Sequence, residues 1–190
     1  NLKKLKLTSV IISVGYKAEK IINYFGSSYA GLSIKYSIEK YPLGTGGALK
    51  KALSLCANSF VFVFNGDTFV EFSTSEIINL SNKNKYPIIL GIEIPDTRRY
   101  SRLMLKNNTL IGFSDKGILG KGIINAGLYY LPKSIFEGFD LSDSFSLESD
   151  FLIPFITQLN FCCSLTNGIF VDIGIPEDYK KASLLLKEFI

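Results

Sequence analysis

The amino-acid sequence predicts an α/β fold built on a Rossmann-like, doubly wound and mostly parallel mixed sheet. Residues 60–64 (FVFVF) form an apolar run without polar alternation, which is typical of a strand buried on both faces. Such runs alternate with helical patterns over the first half of the chain, and this order favours parallel strands joined by right-handed crossovers. The run ends in Asn65-Gly66-Asp67. Because ligands collect beyond the carboxyl ends of strands in open α/β sheets, Asp67 is the first candidate for chemistry.

The elements of the first half follow from local signals in the chain. Gly26 is placed to close one helix, and Ser73 with Glu76 forms a capping box that opens another. The patterns predict a helix end over 1–7, strands over 8–14, 33–37, 60–65 and 87–94, and helices over 17–25, 47–55 and 73–81, with a Pro- and Gly-rich loop over 39–47.

The second half consists of shorter segments, which predict antiparallel additions to the sheet. Asn107-Asn108 is a hairpin turn signal between two short strands. Pro176 stands at the first helical position of a final helix, with acidic residues beside it that suit the helix dipole. The predicted strands are 103–106, 109–113, 123–131, one from 161 and 169–173, and the predicted helices are 132–138, 146–158 and 176–189.

Size and composition predict one globular domain over residues 1–190, with 47% hydrophobic and 20% charged residues. The net charge is only +4, and the lysines are scattered rather than arranged in a basic stripe, which argues against nucleic-acid binding. No apolar run approaches the roughly 18 residues of a membrane span, so we expect a cytoplasmic protein. The three cysteines, Cys56, Cys162 and Cys163, are odd in number and are interpreted as core residues.

Two further features of the sequence narrow the chemistry. The chain contains no histidine, which excludes Ser-His-Asp and Cys-His hydrolases, His-ligated zinc and histidine acid/base catalysis. Carboxylate, lysine and metal chemistry remain. The sequence also begins at Asn1 rather than at methionine, so we expect a piece of a longer protein.

The glycine-rich loop Leu43-Gly44-Thr45-Gly46-Gly47 has two readings that weigh equally on the residues alone. In the first, the glycines allow close approach of a flat ligand, and Thr45 or Gly46 presents an N–H group at the start of a helix. In the second, the loop is a tight turn with Thr45 as the N-cap. It is not a Walker A loop, since no Gly-Lys-Ser/Thr follows.

Asp67 and Asp172 each follow an apolar strand and precede a glycine turn. Two carboxylates at one edge of a sheet would form an all-oxygen site for Mg²⁺, with phosphate oxygens and water as the other ligands. Taken singly, each aspartate is more often a turn or helix cap.

Two polar motifs in the second half are further candidates for ligand contacts. Asn125 and Gly127 interrupt an apolar strand, either because a ligand crosses the sheet there or because the strand has a bulge. Asp115-Lys116 follows another strand and could place an ammonium group against a phosphate, although a surface ion pair is the more frequent alternative.

Together these motifs resemble those of the sugar-1-phosphate nucleotidylyltransferases. Within that family the order of motifs is most similar to the guanylyltransferases that act on heptose 1-phosphate and mannose 1-phosphate. The resemblance runs from about Leu2 to the C-terminus. The motifs that carry it are LGTGGA at 43–48, NGD at 65–67, FSDKG at 113–117, NAG at 125–127, VDIG at 171–174 and PEDY at 176–179.

The resemblance implies a nucleotidyl transfer from an NTP, with GTP favoured, to a heptose or mannose 1-phosphate. The products would be pyrophosphate and an NDP-sugar for a surface polysaccharide such as lipopolysaccharide or capsule. Mg²⁺ would be the cofactor, and oligomerisation is left open. By the same resemblance, Asp67 and Asp172 hold the metal and act in catalysis with Lys116; Glu39, Leu43, Gly44, Thr45, Gly46 and Gly66 bind the nucleotide; and Asp115, Asn125 and Gly127 bind the sugar.

The sequence departs from the family pattern in two ways. Arg99-Tyr100-Ser101 stands where the family usually has Arg-Tyr-Gly, which puts a backbone contact to the ligand in doubt. The opening strand with its Gly-Thr-Arg turn, and the following Lys-Pro, are not in the sequence. We therefore expect the chain as it stands to be inactive and poorly soluble, with two rows of unpaired backbone groups beside the absent strand. The alternative is a non-catalytic nucleotide-sugar binding module or a degenerate remnant.

Overall fold

The structure is a computed structural model that describes residues 5, 7–174, 178–179, 182 and 185–186. The described residues fall into two compact units. The first consists of the chain up to Ser59 together with Lys133–Pro154, and the second consists of Phe60–Pro132 together with the residues from Phe155 onward. The expectation of a single domain stays a prediction. The helices expected over 1–7 and 176–189 lie largely outside the described residues.

The first unit contains a three-stranded sheet in the order β1-β3-β2. β1 (Ser9–Val14) and β3 (Leu32–Ile38) are parallel, as the sequence predicts, and β2 (Ser28–Tyr29) is a short antiparallel addition. Between β1 and β2 lies α1 (Ala18–Phe25). It ends at Gly26, whose φ of 62° is a conformation that favours glycine.

The second helix of this unit, α2 (Gly44–Leu53), begins three residues earlier than predicted. Its N-cap residue, Leu43, provides no side-chain cap. Instead, the carbonyl oxygen of Phe145 accepts hydrogen bonds from the N–H groups of Gly46 (2.9 Å) and Gly47 (3.3 Å). A distant carbonyl therefore satisfies donors that every helix start leaves unpaired, and the glycine-rich loop becomes the first turn of the helix.

Residues 133–154 complete the first unit. The helix predicted over 132–138 is wrong: this stretch forms turns, with single hydrogen bonds from the Glu137 N–H to the Ser134 carbonyl and from the Phe139 N–H to the Phe136 carbonyl. Both bonds span three residues rather than the four of an α-helix, and the adjacent Ile135 and Phe136 are both buried. Phe136 packs edge-to-face on Phe145 and Phe151 at ring distances of 5.3 and 4.8 Å. A π-helical turn, Leu147–Leu152, then leads into α4 (Ile153–Leu159), where a helix was predicted.

The second unit is organised around a six-stranded mixed sheet in the order β4-β9-β6-β10-β8-β7. Its strands are β4 (Phe60–Phe64), β6 (Ile88–Ile94), β7 (Leu103–Lys106), β8 (Thr109–Phe113), β9 (Gly122–Pro132) and β10 (Cys162–Thr166). β5 (Thr68–Val70) and β11 (Phe170–Asp172) form a separate antiparallel pair. Helix α3 (Thr74–Asn84) begins as predicted, with the Ser73 hydroxyl accepting from the Glu76 N–H at 3.3 Å.

The α/β class with a mixed sheet is confirmed, but hydrogen-bonded neighbours are not mostly parallel. β9 lies between β4 and β6 and runs antiparallel to both. β6 and β10 form the parallel pair of this sheet. Local sequence patterns identify the strands, but they do not specify which two strands a later strand will lie between. The hairpin β7–β8 turns at Asn107 and Asn108, both with positive φ, as predicted.

The expectation that β4 is buried on both faces is also corrected. All five of its residues are half-buried, because β4 lies at one edge of the six-stranded sheet. The deeply buried positions are instead in the middle strands. The core of this unit comprises Val70, Ile77, Ile88, Leu90, Ile92, Ile124, Ala126, Leu128 and Cys162. Within the described residues, no helix combines the length and the apolar character needed to cross a membrane.

Candidate active site

The two aspartates singled out by the sequence lie on neighbouring backbone segments of the second unit. β11 pairs antiparallel with β5, with Asp172 opposite Thr68. One residue further on, the Ile173 N–H donates to the Asp67 carbonyl oxygen at 2.9 Å. Asp67 is exposed in the turn between β4 and β5. Chain positions more than a hundred residues apart are thus held side by side by a short ladder of backbone hydrogen bonds.

The Asp172 carboxylate accepts two hydrogen bonds from its own chain and forms an ion pair with one guanidinium. Its Oδ2 accepts from the Tyr100 hydroxyl at 2.7 Å, and its Oδ1 accepts from the Gly174 N–H at 2.8 Å. The Arg99 guanidinium is 3.6 Å from Oδ2 and also pairs with Asp178. The pKa of Tyr100 is raised above its ordinary value, chiefly by burial and secondly by the hydrogen bond to Asp172. The hydroxyl therefore remains a donor through the neutral range.

The donor chemistry at this place fits a hard divalent cation. Asp67 and Asp172 offer carboxylate oxygens, which Mg²⁺ prefers, and the Asp67 side chain accepts only a 3.3 Å hydrogen bond from Thr68 among the described residues. The part of the chain that the structure describes contains no cluster of three or more His, Cys, Asp or Glu side chains suited to a metal. The remaining ligands of such a cation would therefore be water and substrate oxygens.

The glycine-rich loop lies in the first unit, where packing explains its glycines. A Cβ on Gly44 would lie 2.5 Å from the Phe145 carbonyl oxygen, one on Gly46 would meet the Phe145 ring at 2.2 Å, and one on Gly47 would lie 2.3 Å from the Asp143 carbonyl oxygen. Since the Gly46 N–H already donates to Phe145, the expectation that it presents its N–H group to a ligand is corrected.

The other residues of this loop also have partners within the first unit. The Thr45 hydroxyl is not an N-cap, as one reading had it, because Thr45 lies inside α2 and its Oγ1 accepts from the Leu147 N–H at 2.9 Å. Glu39 accepts from the Leu43 N–H at 3.1 Å and so braces the loop entrance. The loop is therefore a rigid, pre-formed turn, which is the property that close approach of a flat ligand needs.

Asn125 and Gly127 lie at a bulge of β9, where the pairing with β6 shifts register between Ile89 and Gly91. The Asn125 side chain bonds within its own strand, accepting from the Gly127 N–H at 3.0 Å and donating to the Tyr129 hydroxyl at 2.5 Å. The Asn65 N–H donates to the Gly127 carbonyl at 2.8 Å. The bulge thus fixes the turn 65–67 that carries Gly66 and Asp67.

Asp115 and Lys116 are both exposed, on the loop that follows β8. Neither side chain forms an ion pair with another described residue, so the alternative of a surface ion pair between them has no support. The loop itself is anchored: the Gly117 N–H donates to the Arg98 carbonyl at 3.0 Å, and the Arg102 guanidinium donates to the Leu119 and Gly120 carbonyls.

The second unit therefore brings together Asp67, Asp172, Gly66 and the Asn125–Gly127 bulge, and it also carries Asp115 and Lys116. Glu39 and the loop 43–47 belong to the first unit. Sequence reasoning did not assign Arg99, Tyr100 or Asn65 to the site. The sequence did contain a signal for Arg99 and Tyr100, since both belong to the Arg-Tyr-Ser motif that stands where the family has Arg-Tyr-Gly. Ser101 does not have a positive φ, so its backbone conformation does not demand the glycine that the family has there.

Comparison with known proteins finds a family, sequences and structures that match nearly the whole chain. A model of the family described as nucleotidyl transferase matches residues 1–188. A D-glycero-alpha-D-manno-heptose 1-phosphate guanylyltransferase from Aneurinibacillus thermoaerophilus is 40% identical over all of this chain and 83% of its own length. The crystal structure of HddC from Yersinia pseudotuberculosis superposes with a TM-score of 0.88 at 38% identity, covering 98% of this chain and 82% of that one. The same protein complexed with GMP-PN gives a TM-score of 0.85 at 36% identity, with the same coverage.

Proposed function

The chain belongs to the nucleotidyl transferase family and is a sugar-1-phosphate nucleotidyltransferase, and from that premise we propose that it transfers GMP from GTP to a D-glycero-D-manno-heptose 1-phosphate. The similarity to a curated heptose 1-phosphate guanylyltransferase supports the sugar, and the likeness to HddC complexed with GMP-PN supports the nucleotide. The product, a GDP-heptose, would serve the synthesis of a surface polysaccharide.

The observation that carries this proposal is the Asp67–Asp172 pair at the β5–β11 ladder. The ladder holds the backbone of two carboxylate-bearing residues from distant parts of the chain side by side, which supports the proposal that both bind one cation. A bound Mg²⁺ would neutralise phosphate charge and align the reacting groups there. Hydrogen bonds from Tyr100 and Gly174 already orient the Asp172 carboxylate, which supports its proposed role.

The reaction we propose is attack of a sugar 1-phosphate oxygen on the α-phosphorus of GTP, with pyrophosphate as the leaving group. The second pKa of a phosphate monoester is about 6, so the nucleophile is largely deprotonated at pH 7. No general base is needed, which is consistent with a chain that has no histidine. Catalysis then depends on alignment and charge neutralisation.

The proposed roles of the remaining residues come from the family resemblance, and their positions support them. Lys116, exposed and without an ion-pair partner among the described residues, is available to contact the sugar phosphate, with Asp115 next to it. The Asn125–Gly127 bulge would face the sugar. In the first unit, Glu39, Leu43, Gly44, Thr45 and Gly46 would contact the guanine nucleotide through a turn that Phe145 has already shaped. Gly66, for which the resemblance also implies a nucleotide contact, belongs to the second unit, and a Cβ on it would meet no atom within 4 Å.

We also propose that the enzyme works in the cytoplasm. Cys56, Cys162 and Cys163 are all free thiols. Free thiols suit a reducing compartment, since disulfides form and persist in oxidising ones.

The test uses the protein as its gene encodes it, with any residues that precede Asn1, beside the 190-residue chain. GTP, Mg²⁺ and heptose 1-phosphate are supplied, and GDP-heptose and pyrophosphate are measured, with mannose 1-phosphate as the competing acceptor. We expect Asp67→Asn and Asp172→Asn each to lower turnover by at least about 100-fold, because several kcal/mol of charge stabilisation are lost. Asp140→Asn, an exposed carboxylate outside the site, is the matched control.

Two results would contradict the proposal. If the encoded protein binds a guanine nucleotide but releases no pyrophosphate with either sugar, it is a binding module. If Asp67→Asn and Asp172→Asn retain the turnover of Asp140→Asn, the carboxylate pair is not part of the active site. The expected inactivity of the 190-residue chain stays a prediction, which the same assay decides.

A further inference from the structure

Tyr100 makes the shortest contact to the Asp172 carboxylate. Its hydroxyl donates to Oδ2 at 2.7 Å, and the Asp172 side chain is only 19% exposed. The Tyr100 ring packs edge-to-face on Phe170, two residues before Asp172, with 6.4 Å between ring centroids. The ring and the hydroxyl thus both contact the strand that carries the carboxylate.

The backbone around Tyr100 is anchored from the opposite side. Its N–H donates to the Thr97 carbonyl at 2.9 Å. Thr97 is completely buried, and its hydroxyl bonds the carbonyls of Ile118 (2.8 Å) and Gly120 (3.1 Å) while accepting from the Arg102 guanidinium (2.7 Å). Segment 97–102 is therefore a fixed support from which Tyr100 reaches Asp172.

The same support holds the loop of the proposed phosphate-binding lysine. The Gly117 N–H donates to the Arg98 carbonyl, and the Ser114 N–H donates to the Arg102 carbonyl at 2.9 Å. Lys116 lies between these two anchored positions. One short segment thus contacts both the carboxylate and the lysine loop of the proposed active site.

We propose that Tyr100 is a positioning residue for cation binding, which orients Asp172 from a support that segment 97–102 anchors. The inference rests on the proposed function only in taking Asp172 as a cation ligand. Without the hydroxyl, Oδ2 would lose its hydrogen bond from Tyr100, and the Arg99 guanidinium, 3.6 Å away and also paired with Asp178, would be its remaining side-chain neighbour of opposite charge. The carboxylate would then turn towards the guanidinium and away from a cation.

The test measures the affinity of the encoded protein for Mn²⁺ alone, by electron paramagnetic resonance of the free ion, with no turnover required. We expect Tyr100→Phe to weaken Mn²⁺ binding about tenfold, the lower end of the range for partners that orient metal ligands. Tyr36→Phe is the matched control, because it removes a hydroxyl that donates to a backbone carbonyl, that of Gly26 at 2.6 Å, in the first unit. It should leave the Mn²⁺ affinity unchanged.

Two further measurements separate positioning from a structural role. Raising the Mg²⁺ concentration should restore the turnover of Tyr100→Phe towards the wild-type value, which a folding defect would not allow. In an Asp172→Asn background, Tyr100→Phe should have no additional effect on Mn²⁺ affinity, because the group through which it acts is already changed.

The inference is overturned if Tyr100→Phe binds Mn²⁺ as wild type does, if its effect persists in the Asp172→Asn background, or if the variant unfolds at a clearly lower temperature than Tyr36→Phe. A wild-type protein that binds no Mn²⁺ also overturns it. The proposed function fails by a separate result, the lack of GDP-sugar and pyrophosphate from the wild-type enzyme.

Discussion

Asp172 shows how a single carboxylate is prepared by residues that are distant in sequence. Tyr100 and Arg99 approach one oxygen, whereas the Gly174 N–H, two residues away along the chain, donates to the other. A neutral donor orients the group without competing with a cation, but a guanidinium competes by charge. The two neighbours, Arg99 and Tyr100, should therefore have opposite effects on cation binding.

Arg99→Gln is expected to raise the affinity for Mn²⁺. The guanidinium is 3.6 Å from Asp172 Oδ2, and its removal relieves the repulsion of a cation bound there. Because the Arg99 side chain is 44% exposed, solvent screening limits the gain to about two- to fivefold. The measurement is the Mn²⁺ titration described above. Arg98→Gln serves as the control, since Arg98 pairs with Asp96, and weaker Mn²⁺ binding by Arg99→Gln would contradict the prediction.

Gly127→Ala is expected to destabilise the fold by about 1–3 kcal/mol, the cost of a left-handed backbone at a residue with a side chain. Gly127 has a φ of +72°, and an added Cβ would lie 2.9 Å from the Asn65 side-chain nitrogen. Urea unfolding measures the change. Gly112→Ala is the control, because its Cβ would find ordinary contact at 3.7 Å from the Met104 sulfur. Equal stabilities of the two variants would disprove the expected strain.

At the scale of elements, helices α2 and α3 are capped at their N-termini in two different ways. Helix α3 is capped by its own preceding residue, so its start can be read directly from the sequence. Helix α2 has no side-chain cap and is instead capped by the Phe145 carbonyl, which is distant in the chain. The start of α3 was therefore predicted correctly. The start of α2 was predicted three residues too late, because its capping group lies far away in the sequence.

Ser73→Ala is expected to cost about 1 kcal/mol of stability, because the Glu76 N–H loses its acceptor at the start of α3. Ser73→Asp retains a good acceptor and should keep nearly the wild-type stability. Thermal or urea unfolding of the two variants, side by side, makes the comparison. A loss by Ser73→Asp as large as that by Ser73→Ala would show that the cap is not the cause.

At the scale of the whole molecule, the reactivity of the three thiols measures how tightly the core is packed, because burial protects a thiol from reagents. Cys163 lies in β10, in the interior of the six-stranded sheet, and burial raises its pKa to about 12. Burial also raises the pKa values of Cys162 and Cys56. A raised thiol pKa leaves less of the reactive thiolate at any given pH.

In native protein at pH 8, the half-buried Cys56 is therefore expected to react first with a thiol reagent such as Ellman's reagent. Cys163 should react only as fast as the core opens. In denaturant, all three thiols should react rapidly and together. Immediate reaction of three thiols in the native protein would contradict the packing of β10.

The sequence by itself determined the α/β class, most of the strands, the β7–β8 hairpin and the start of α3, and it singled out the two aspartates that we propose for the site. These depend on signals within a few residues, namely apolar runs, a capping box and turn residues. Only the tertiary structure decided that β9 separates β4 from β6, that residues 133–138 form turns, and that Phe145 shapes the glycine-rich turn. It also placed Tyr100 against Asp172, 72 residues away. Such contacts join segments far apart in the chain, and their partners depend on how the whole core packs, which no local pattern records.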